Sequence, residues 1–293
     1  MQPSYRRVPG VDGLSLNLVD WGGAGPPLLL LHGYGHGAHL WDTFIPELIP
    51  HYHVLALDSR GHGRSDHDPE FRYHNAAVAR DLEAVAEHLE LKEAVVVGHS
   101  QGGLAAIRLA GRHPECVQRL VLAETAPDGS ARSGTRDSLR LLQPIYETEA
   151  EYAKILGELY PELRTEAVQS IAHHFLKTQD DGGFSPRLDP RFLRGSSKKS
   201  AERRGGFDRE AWARKEEGRF WHYLAKVACP TLVLRGELSP MLPEIALHRM
   251  CDTIGSGSQA RTLTGAGHAL MLDNPDEFYD ALNSFALDRA PAR

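Results

Sequence analysis

A short motif around Ser100 carries the clearest chemical signal in the sequence. Ser100 lies in Gly-His-Ser-Gln-Gly (98–102), directly after the apolar run 94–97 and directly before a helical pattern. The glycines permit a turn so sharp that the serine hydroxyl is presented at its tip, above the edge of a sheet. A buried strand, this motif and a helix together predict a nucleophile elbow with Ser100 as the nucleophile.

A serine hydroxyl is a poor nucleophile at neutral pH and needs a base to accept its proton. Among the 16 histidines, His268 has the most suitable context, because it lies in Leu-Thr-Gly-Ala-Gly-His-Ala (263–269) between the last predicted strand and the final predicted helix. A histidine in a Gly-flanked loop at the carboxyl edge of a sheet can reach a serine presented on that edge. His268 is therefore the predicted base.

Two backbone N–H groups are predicted to bind the developing oxyanion. Gln101 opens a helix, where the N–H groups are unpaired and the helix dipole favours negative charge. The second donor is expected from the loop after an earlier strand. The loop His-Gly-Tyr-Gly (32–35) follows the run Leu28–Leu31, and we choose the N–H of Tyr34.

Metal, cofactor and disulfide chemistry have weak support in the sequence. His32, His36 and His39 lie in one Gly-rich region, but no carboxylate or cysteine is paired with them there, so we favour a shaped oxyanion loop over a metal site. The three cysteines are far apart and form no Cys-x-x-Cys pair, which indicates reduced thiols rather than a disulfide framework or a zinc site. We predict no cofactor and no metal.

The elements that must position these residues alternate between short apolar runs and helical patterns. Runs this short, bounded by Gly, His or Asp, are typical of strands buried on both faces of a parallel sheet. Strands that alternate with helices predict an α/β fold. The predicted strands are Tyr5–Val8, Leu14–Trp21, Pro27–His32, His53–Asp58, Ala94–Gly98, Arg119–Ala123, Thr231–Arg235 and Ala260–Leu263, and the predicted helices are Ala76–Leu89, Leu104–Arg112 and Pro275–Leu287.

The middle third of the chain, residues 127–226, differs from the rest. It has no apolar β-branched run, its periodicity is helical, and it holds half of the aromatic residues. This composition predicts a separate small helical unit. Within it, the polar, Gly-bounded stretch Gly195–Gly206 predicts a mobile loop.

The order of these motifs resembles the α/β-hydrolase fold. The similarity runs from about Leu14 to Phe285 and includes Asp-x-Arg-Gly-x-Gly-x-Ser (58–65), which is usually structural in that family. The resemblance implies a mostly parallel sheet with helices on both faces, formed by residues 1–126 and 227–293. It also implies that 127–226 is a helical cap over the active site. Trp41 and Trp221 are candidate substrate contacts, although Trp221 is also explained as part of the cap's own core.

The resemblance leaves the acidic partner of His268 open. Many relatives place an aspartate after the strand that corresponds to Thr231–Arg235, with two residues between it and a preceding Gly, and here Ser239 occupies the usual position. A subset of the family places the acid one strand earlier, where this sequence has Leu-Ala-Glu-Thr-Ala-Pro (122–127). We therefore favour Glu124 over Glu237, and Asp128 and Asp273 are weaker candidates.

Together these residues predict a two-step serine hydrolase that acts on a small-molecule carboxylic ester or lactone. Because the aromatic-rich cap offers a wide apolar surface, a bulky substrate such as a macrocyclic lactone is a sharper hypothesis. A C–C bond hydrolase, a thioesterase, an amidase and a non-catalytic binding protein stay open as alternatives. The net charge of −6 argues against nucleic-acid partners, and no signal peptide or membrane span is evident, so we expect a cytoplasmic protein of unknown oligomeric state.

Overall fold

One eight-stranded sheet organises the computed structural model, which describes residues 2–127, 141–180, 182–193 and 209–287. All eight predicted strands are present, with ends that differ from the prediction by at most two residues. The strands in chain order are β1 (Ser4–Pro9), β2 (Ser15–Gly22), β3 (Pro27–Leu31), β4 (His53–Leu57), β5 (Ala94–His99), β6 (Val117–Ala123), β7 (Leu176–Thr178), β8 (Phe184–Pro186), β9 (Thr231–Gly236) and β10 (Ser258–Leu263).

The sheet is mostly parallel, as predicted. Its strand order is β1-β2-β4-β3-β5-β6-β9-β10; β1 and β2 pair antiparallel, β2 and β4 pair antiparallel, and every other pair is parallel. Strand β5 therefore lies near the middle of the sheet. In an open parallel sheet, ligands bind outside the carboxyl ends of the strands.

Helices cover both faces of the sheet. Successive strand residues alternate between two buried apolar clusters, so that Leu28 and Leu30 face one helical layer while Leu29 and Leu31 face the other. The helices are α1 (Ile45–Leu48), α2 (Asn75–His88), α3 (Gln101–Arg112), α4 (Glu149–Leu159), α5 (Thr165–Phe175), α6 (Pro190–Leu193), α7 (Arg209–Leu224), α8 (Glu244–Ile254), α9 (Leu270–Asp273) and α10 (Pro275–Leu287), with 3-10 helices at Ala38–Phe44 and Pro114–Cys116.

The register of the central strands brings their carboxyl ends to one level. Ala123 of β6 is the partner of both His99 on β5 and Leu234 on β9. The residues that follow these partners, including Ser100 and Glu124, therefore emerge side by side at the same edge. The register explains how residues distant in sequence meet.

The middle segment is mixed rather than purely helical. Helices α4 and α5 pack against each other, and β7 and β8 form a small antiparallel pair that the sequence did not predict. Helix α7, by contrast, packs against α3 and α8 on the opposite face of the sheet. The packing therefore separates α7 from the rest of 127–226. Gly195–Gly206 and Asp128 lie outside the described residues.

Candidate active site

Ser100 lies at the tip of a tight turn between β5 and α3. Its backbone has φ 51° and ψ −114°, a conformation that non-glycine residues rarely adopt and that costs free energy unless the surroundings enforce it. The Ser100 N–H donates to the carbonyl of Ala123 at 2.9 Å, and the Ser100 carbonyl accepts from Leu104 at 3.2 Å. A Cβ on Gly98 would come within 2.5 Å of the Gly103 Cα, so only glycine allows the helix to return this closely.

Glu124 occupies the corresponding position after the neighbouring strand β6. It also has a positive φ, 49°, and its side chain is almost completely buried. One carboxylate oxygen accepts from the Gly236 N–H at 2.7 Å. The other accepts from the Ser239 hydroxyl at 2.5 Å and faces His268 Nδ1 at 3.2 Å. The Gly236 N–H, the Ser239 hydroxyl and the His268 Nδ1–H can each donate to the carboxylate. A buried carboxylate needs such donors to replace the water that it has lost.

His268 is brought to this edge by the loop between β10 and α9. With Nδ1 directed at Glu124, its Nε2 is left for a second partner. The Ser100 hydroxyl makes no hydrogen bond to His268 in this arrangement. In ligand-free sites such contacts are often long and shorten only when substrate binds. The structure therefore brings together the predicted base and the favoured acid, next to the turn that carries the predicted nucleophile.

His99 is a site residue that sequence reasoning missed. It is buried beneath the turn, its Nε2 donates to the His268 carbonyl at 2.9 Å, and its ring lies 4.8 Å from the His268 ring. Burial, together with the nearby His268 and His36, lowers the pKa of His99 well below its ordinary value. A neutral His99 therefore fixes the backbone of the His268 loop. Its position between Gly98 and Ser100 was the available signal.

The loop after β3 approaches the turn closely, as the oxyanion prediction requires. A Cβ on Gly33 would come within 3.1 Å of the Ser100 Cβ. The Gly35 N–H donates to His62 Nε2 at 3.1 Å, which fixes the loop from below. The Tyr34 ring is half exposed and packs edge-on against Phe192, so only its backbone is a candidate oxyanion donor.

Comparison with known proteins gives a family. The family model of the alpha/beta hydrolase fold matches residues 26–275. The chain belongs to the α/β hydrolase fold family. A 2-hydroxy-6-oxo-6-(2'-aminophenyl)hexa-2,4-dienoic acid hydrolase of Metapseudomonas resinovorans is 27% identical, over 92% of this chain and 86% of that protein. A pimeloyl-[acyl-carrier protein] methyl ester esterase of Vibrio vulnificus is 28% identical, over 90% and 95%.

A solved structure supports the same fold. The crystal structure of E-2-(acetamidomethylene)succinate hydrolase superposes with a TM-score of 0.76 at 23% identity, over 97% of this chain and 99% of that one. Because this identity is low, the superposition carries the fold alone.

Within this α/β hydrolase, Glu237, the alternative acid named from the sequence, contacts the loop before His268 and not the His268 ring. Glu237 is exposed, and its carboxylate accepts from the Gly265 N–H at 2.8 Å in the loop that precedes His268. Asp273 accepts from the Gly267 N–H in the same loop at 2.9 Å. Both acids therefore shape the His268 loop, whereas Glu124 contacts the imidazole itself.

The two tryptophans named from the sequence pack into the two apolar clusters that flank the sheet. Trp41 is 0% exposed and packs in the core near Phe278, with ring centroids 6.1 Å apart. Trp221 lies on α7 beneath the Arg249 guanidinium, 3.9 Å from its ring centroid, within the cluster around α3. We therefore assign both side chains to packing and leave them out of the proposed site.

One group of side chains in the described residues has the composition of a metal site. His39, Asp42 and His174 offer ligand atoms within 4.8 Å of one another. The two imidazole rings are stacked 3.5 Å apart at an interplanar angle of 10°, so their in-plane lone pairs run side by side instead of converging. Asp42 already accepts from His39 and from Ser170. This geometry is that of a hydrogen-bonded cluster, and we assign it no metal.

A cleft lies beside the candidate site, between the loop after β3 and helices α4 and α5. About 530 Å³ of space there, part of it open to solvent, is not filled by protein atoms. The loop segment His36–Leu40 lines one side, and the His36 ring lies 5.7 Å from the His99 ring beneath Ser100. The cleft therefore begins next to the elbow.

No helix in the described part of the chain is long and apolar enough to cross a membrane.

Proposed function

We propose that this chain is a serine hydrolase that cleaves carboxylic esters, including lactones, through an acyl-enzyme intermediate. The observation that carries the proposal is the contact between His268 Nδ1 and the buried Glu124 carboxylate, 3.2 Å long, at the sheet edge where the turn presents Ser100. Such an acid fixes the tautomer of the base and stabilises its protonated form.

In the proposed first step, His268 Nε2 removes the proton of the Ser100 hydroxyl while Oγ attacks the substrate carbonyl carbon. The N–H groups of Tyr34 and Gln101 donate to the oxyanion. The C–O bond to the leaving alcohol breaks, and the alcohol takes the proton from His268. In the second step, His268 deprotonates water, the hydroxide attacks the acyl carbon, and Ser100 recovers its proton as the carboxylic acid leaves.

The named activities of the relatives support hydrolysis and leave a second candidate. The methyl ester esterase of Vibrio vulnificus favours ester cleavage. The relative from Metapseudomonas resinovorans, a hydrolase of a substituted hexadienoic acid, favours C–C bond hydrolysis on the same three residues. Ester cleavage is our first choice, because it needs only the nucleophile, the base and the oxyanion donors.

The macrocyclic-lactone hypothesis depended on the aromatic residues of 127–226. Phe220, Trp221 and Tyr223 lie on α7, which packs against α3 and α8 instead of facing the cleft. The proposal therefore names esters and lactones in general. A macrolide is included as one arm of the test.

Hydrolysis by the wild-type protein and by Ser100→Ala tests the proposal directly. The panel contains short and long p-nitrophenyl esters, simple lactones, a macrolide, an amide, a thioester and a ring-cleavage diketone. We expect turnover of an ester or lactone that falls by at least about a thousandfold in Ser100→Ala, together with fluorophosphonate labelling of the wild type alone. Preferred turnover of the diketone would favour the second candidate. Ser100-independent turnover, or the absence of both turnover and labelling, would contradict the proposal.

A further inference from the structure

The cleft beside the elbow has two chemically different walls. Helices α4 and α5 supply an apolar wall, to which Leu141 and Leu272 of neighbouring segments add. The opposite wall is polar and includes Asp58 and Arg64, and His174 adds a polar group on the α5 side. The apolar wall comprises Leu141, Tyr152, Leu156, Ile171, Phe175 and Leu272. A cleft of this kind suits a ligand with an aliphatic body and a polar end.

Two guanidinium groups near the polar wall have no anionic partner among the described residues. Arg64 is exposed, and its guanidinium lies 4.3 Å from the centroid of the Tyr5 ring, without an ion pair. Arg187, which follows β8, is half-buried, and its backbone N–H donates at 2.7 Å to the carbonyl of Phe175, which lines the cleft. No hydrogen-bond acceptor contacts its buried Nε. A buried donor without an acceptor is costly, because folding has removed the water that satisfied it.

These two arginines also lie close enough to affect each other. Burial, followed by the positive charge of Arg64, lowers the pKa of Arg187. The charge of Asp58 acts in the other direction and raises the pKa of Arg187. Both Asp58 and Arg64 line the cleft. Two cations side by side repel each other unless an anion lies between them.

The nearby carboxylates are occupied by other donors. Asp58 accepts from the Asn17 amide and from the N–H groups of Ala38 and Arg64, at 2.7–2.9 Å. Asp42 accepts from His39 and Ser170. Neither carboxylate forms an ion pair with the two guanidinium groups. The cleft also contains a further unused group, since the buried His174 Nδ1 has no hydrogen-bond partner among the described residues.

We propose that this cleft binds the carboxylate end of the substrate, so that the preferred esters are half-esters of aliphatic dicarboxylic acids. Arg64 and Arg187 hold the carboxylate, the chain lies against the apolar wall, and the ester extends past His36 to Ser100. A carboxylate is favoured over a phosphate dianion, because Asp42 and Asp58 already place two negative charges nearby. This inference rests on the proposed function, which it deepens by naming a substrate class.

Paired substrates of equal length test the inference by kinetics. Mono-p-nitrophenyl adipate carries the terminal carboxylate, and p-nitrophenyl hexanoate has a methyl group in its place. We expect a higher kcat/KM for the adipate ester. Arg187→Met and Arg64→Gln should each lower the adipate-to-hexanoate ratio of kcat/KM by about 10- to 100-fold, since a hydrogen bond to a charged group contributes about 1.5–3 kcal/mol.

Two control variants separate this effect from general damage. Arg187→Lys keeps the charge without the planar fork and should restore part of the ratio. Arg261→Gln removes an arginine from β10, at the opposite edge of the sheet, and should leave the ratio unchanged. Hexanoate turnover reports on folding and on the elbow in each variant, and exposed Arg64 offers a substitution that leaves the core intact.

A binding measurement keeps the inference independent of turnover. Calorimetry with Ser100→Ala compares monomethyl adipate, methyl hexanoate and methyl 5-phosphonopentanoate. Tighter binding of the adipate, lost in Ser100→Ala/Arg187→Met, would support a carboxylate site even if no ester were hydrolysed. Tighter binding of the phosphonate would overturn the choice of carboxylate. Equal binding of adipate and hexanoate, or Ser100-dependent turnover with an unchanged ratio in both arginine variants, would overturn the inference while the proposed function stands.

Discussion

At the scale of single residues, the pairing of Glu124 with Ser239 accounts for the departure from the usual α/β-hydrolase pattern. Ser239 occupies the position where the resemblance predicts an aspartate, and its hydroxyl donates to Glu124 instead. Met241 in turn donates its N–H to the Ser239 oxygen at 3.1 Å, which fixes the hydroxyl. The longer glutamate side chain is held by Gly236, Ser239 and His268 together, so its extra methylene group brings no freedom of movement.

The assignment of the acid predicts different outcomes for two similar substitutions. Glu124→Gln should lower kcat by about 10³- to 10⁴-fold with little change in folding, because the amide no longer stabilises a protonated His268. Glu237→Gln, the matched control, replaces an exposed carboxylate by an amide whose oxygen can still accept from the Gly265 N–H, and should change kcat by less than about twofold. Steady-state kinetics on one p-nitrophenyl ester measures both. A more severe loss in Glu237→Gln would transfer the acid role to Glu237.

At the scale of elements, the strand–turn–helix unit around Ser100 depends on close backbone approach. A Cβ on Gly98 would meet the Gly103 Cα at 2.5 Å and the Gly102 carbonyl oxygen at 2.7 Å, and neither backbone atom can rotate away. The strained Ser100 conformation therefore persists only because β5 and α3 pack tightly on either side of it.

Gly98→Ala should accordingly destabilise the protein by about 3 kcal/mol, at the upper end of the cost of overpacking, and should reduce fluorophosphonate labelling. Gly157→Ala is the matched control, because Gly157 lies within α4 and a Cβ there meets nothing within 4 Å. It should stabilise the helix by about 0.5–1 kcal/mol. Urea unfolding measures both free energies. Equal stability of the two variants would show that the elbow tolerates a side chain.

Helix α7 is the element whose placement differs most from the expectation. The sequence assigned it to the cap, whereas Phe220 and Leu224 are buried in the cluster that also contains α3 and α8. Among the described residues, 141–180 and 182–193 belong to the cap that we propose. This segment packs against the 3-10 helix Ala38–Phe44, largely through α5.

Because α7 packs against α3 and α8, truncating a buried side chain of α7 should destabilise the protein without changing substrate binding. Phe220→Ala should lower the free energy of unfolding by about 3–5 kcal/mol and leave KM unchanged at a temperature where the protein stays folded. Lys215→Ala, an exposed position on the same helix, should change the stability by less than about 0.5 kcal/mol. A raised KM in Phe220→Ala at unchanged stability would return α7 to the cap.

At the scale of the whole molecule, neutral buried histidines link stability to pH. His62 is 1% exposed; its Nδ1 donates to the Arg60 carbonyl and its Nε2 accepts from the Gly35 N–H beneath the oxyanion loop. Burial, followed by the nearby His32, lowers the pKa of His62 to about 3. Protonation would break the bond to Gly35 and place a charge in the core.

The sign of the pH dependence follows from this shift. The unfolded chain binds a proton at His62 with a pKa near 6.5, whereas the folded protein binds it near 3, so unfolding takes up a proton between these values. The free energy of unfolding should therefore fall on acidification below pH 6.5, by about 1.4 kcal/mol per pH unit for this histidine. His62→Gln should reduce that slope, and His248→Gln, at an exposed site, should not. Urea unfolding at pH 6.5, 5.8 and 5.2 measures the slopes; identical slopes in all three proteins would contradict the linkage.

The sequence by itself determined the sheet and the residues at its edge. Uniformly apolar runs that alternate with helical patterns are typical of a parallel sheet covered on both faces, and glycines at 98 and 102 permit the turn at Ser100. Local pattern was therefore sufficient for the α/β class and for Ser100 and His268 as candidates. The tertiary structure decided which acid faces His268, because Glu124, Ser239 and Gly236 meet through strand register and not through spacing. It also decided the burial and the contacts of His99, Trp41 and α7. Burial and contact depend on which faces pack together, and amphipathic periodicity alone does not specify the partner of a face.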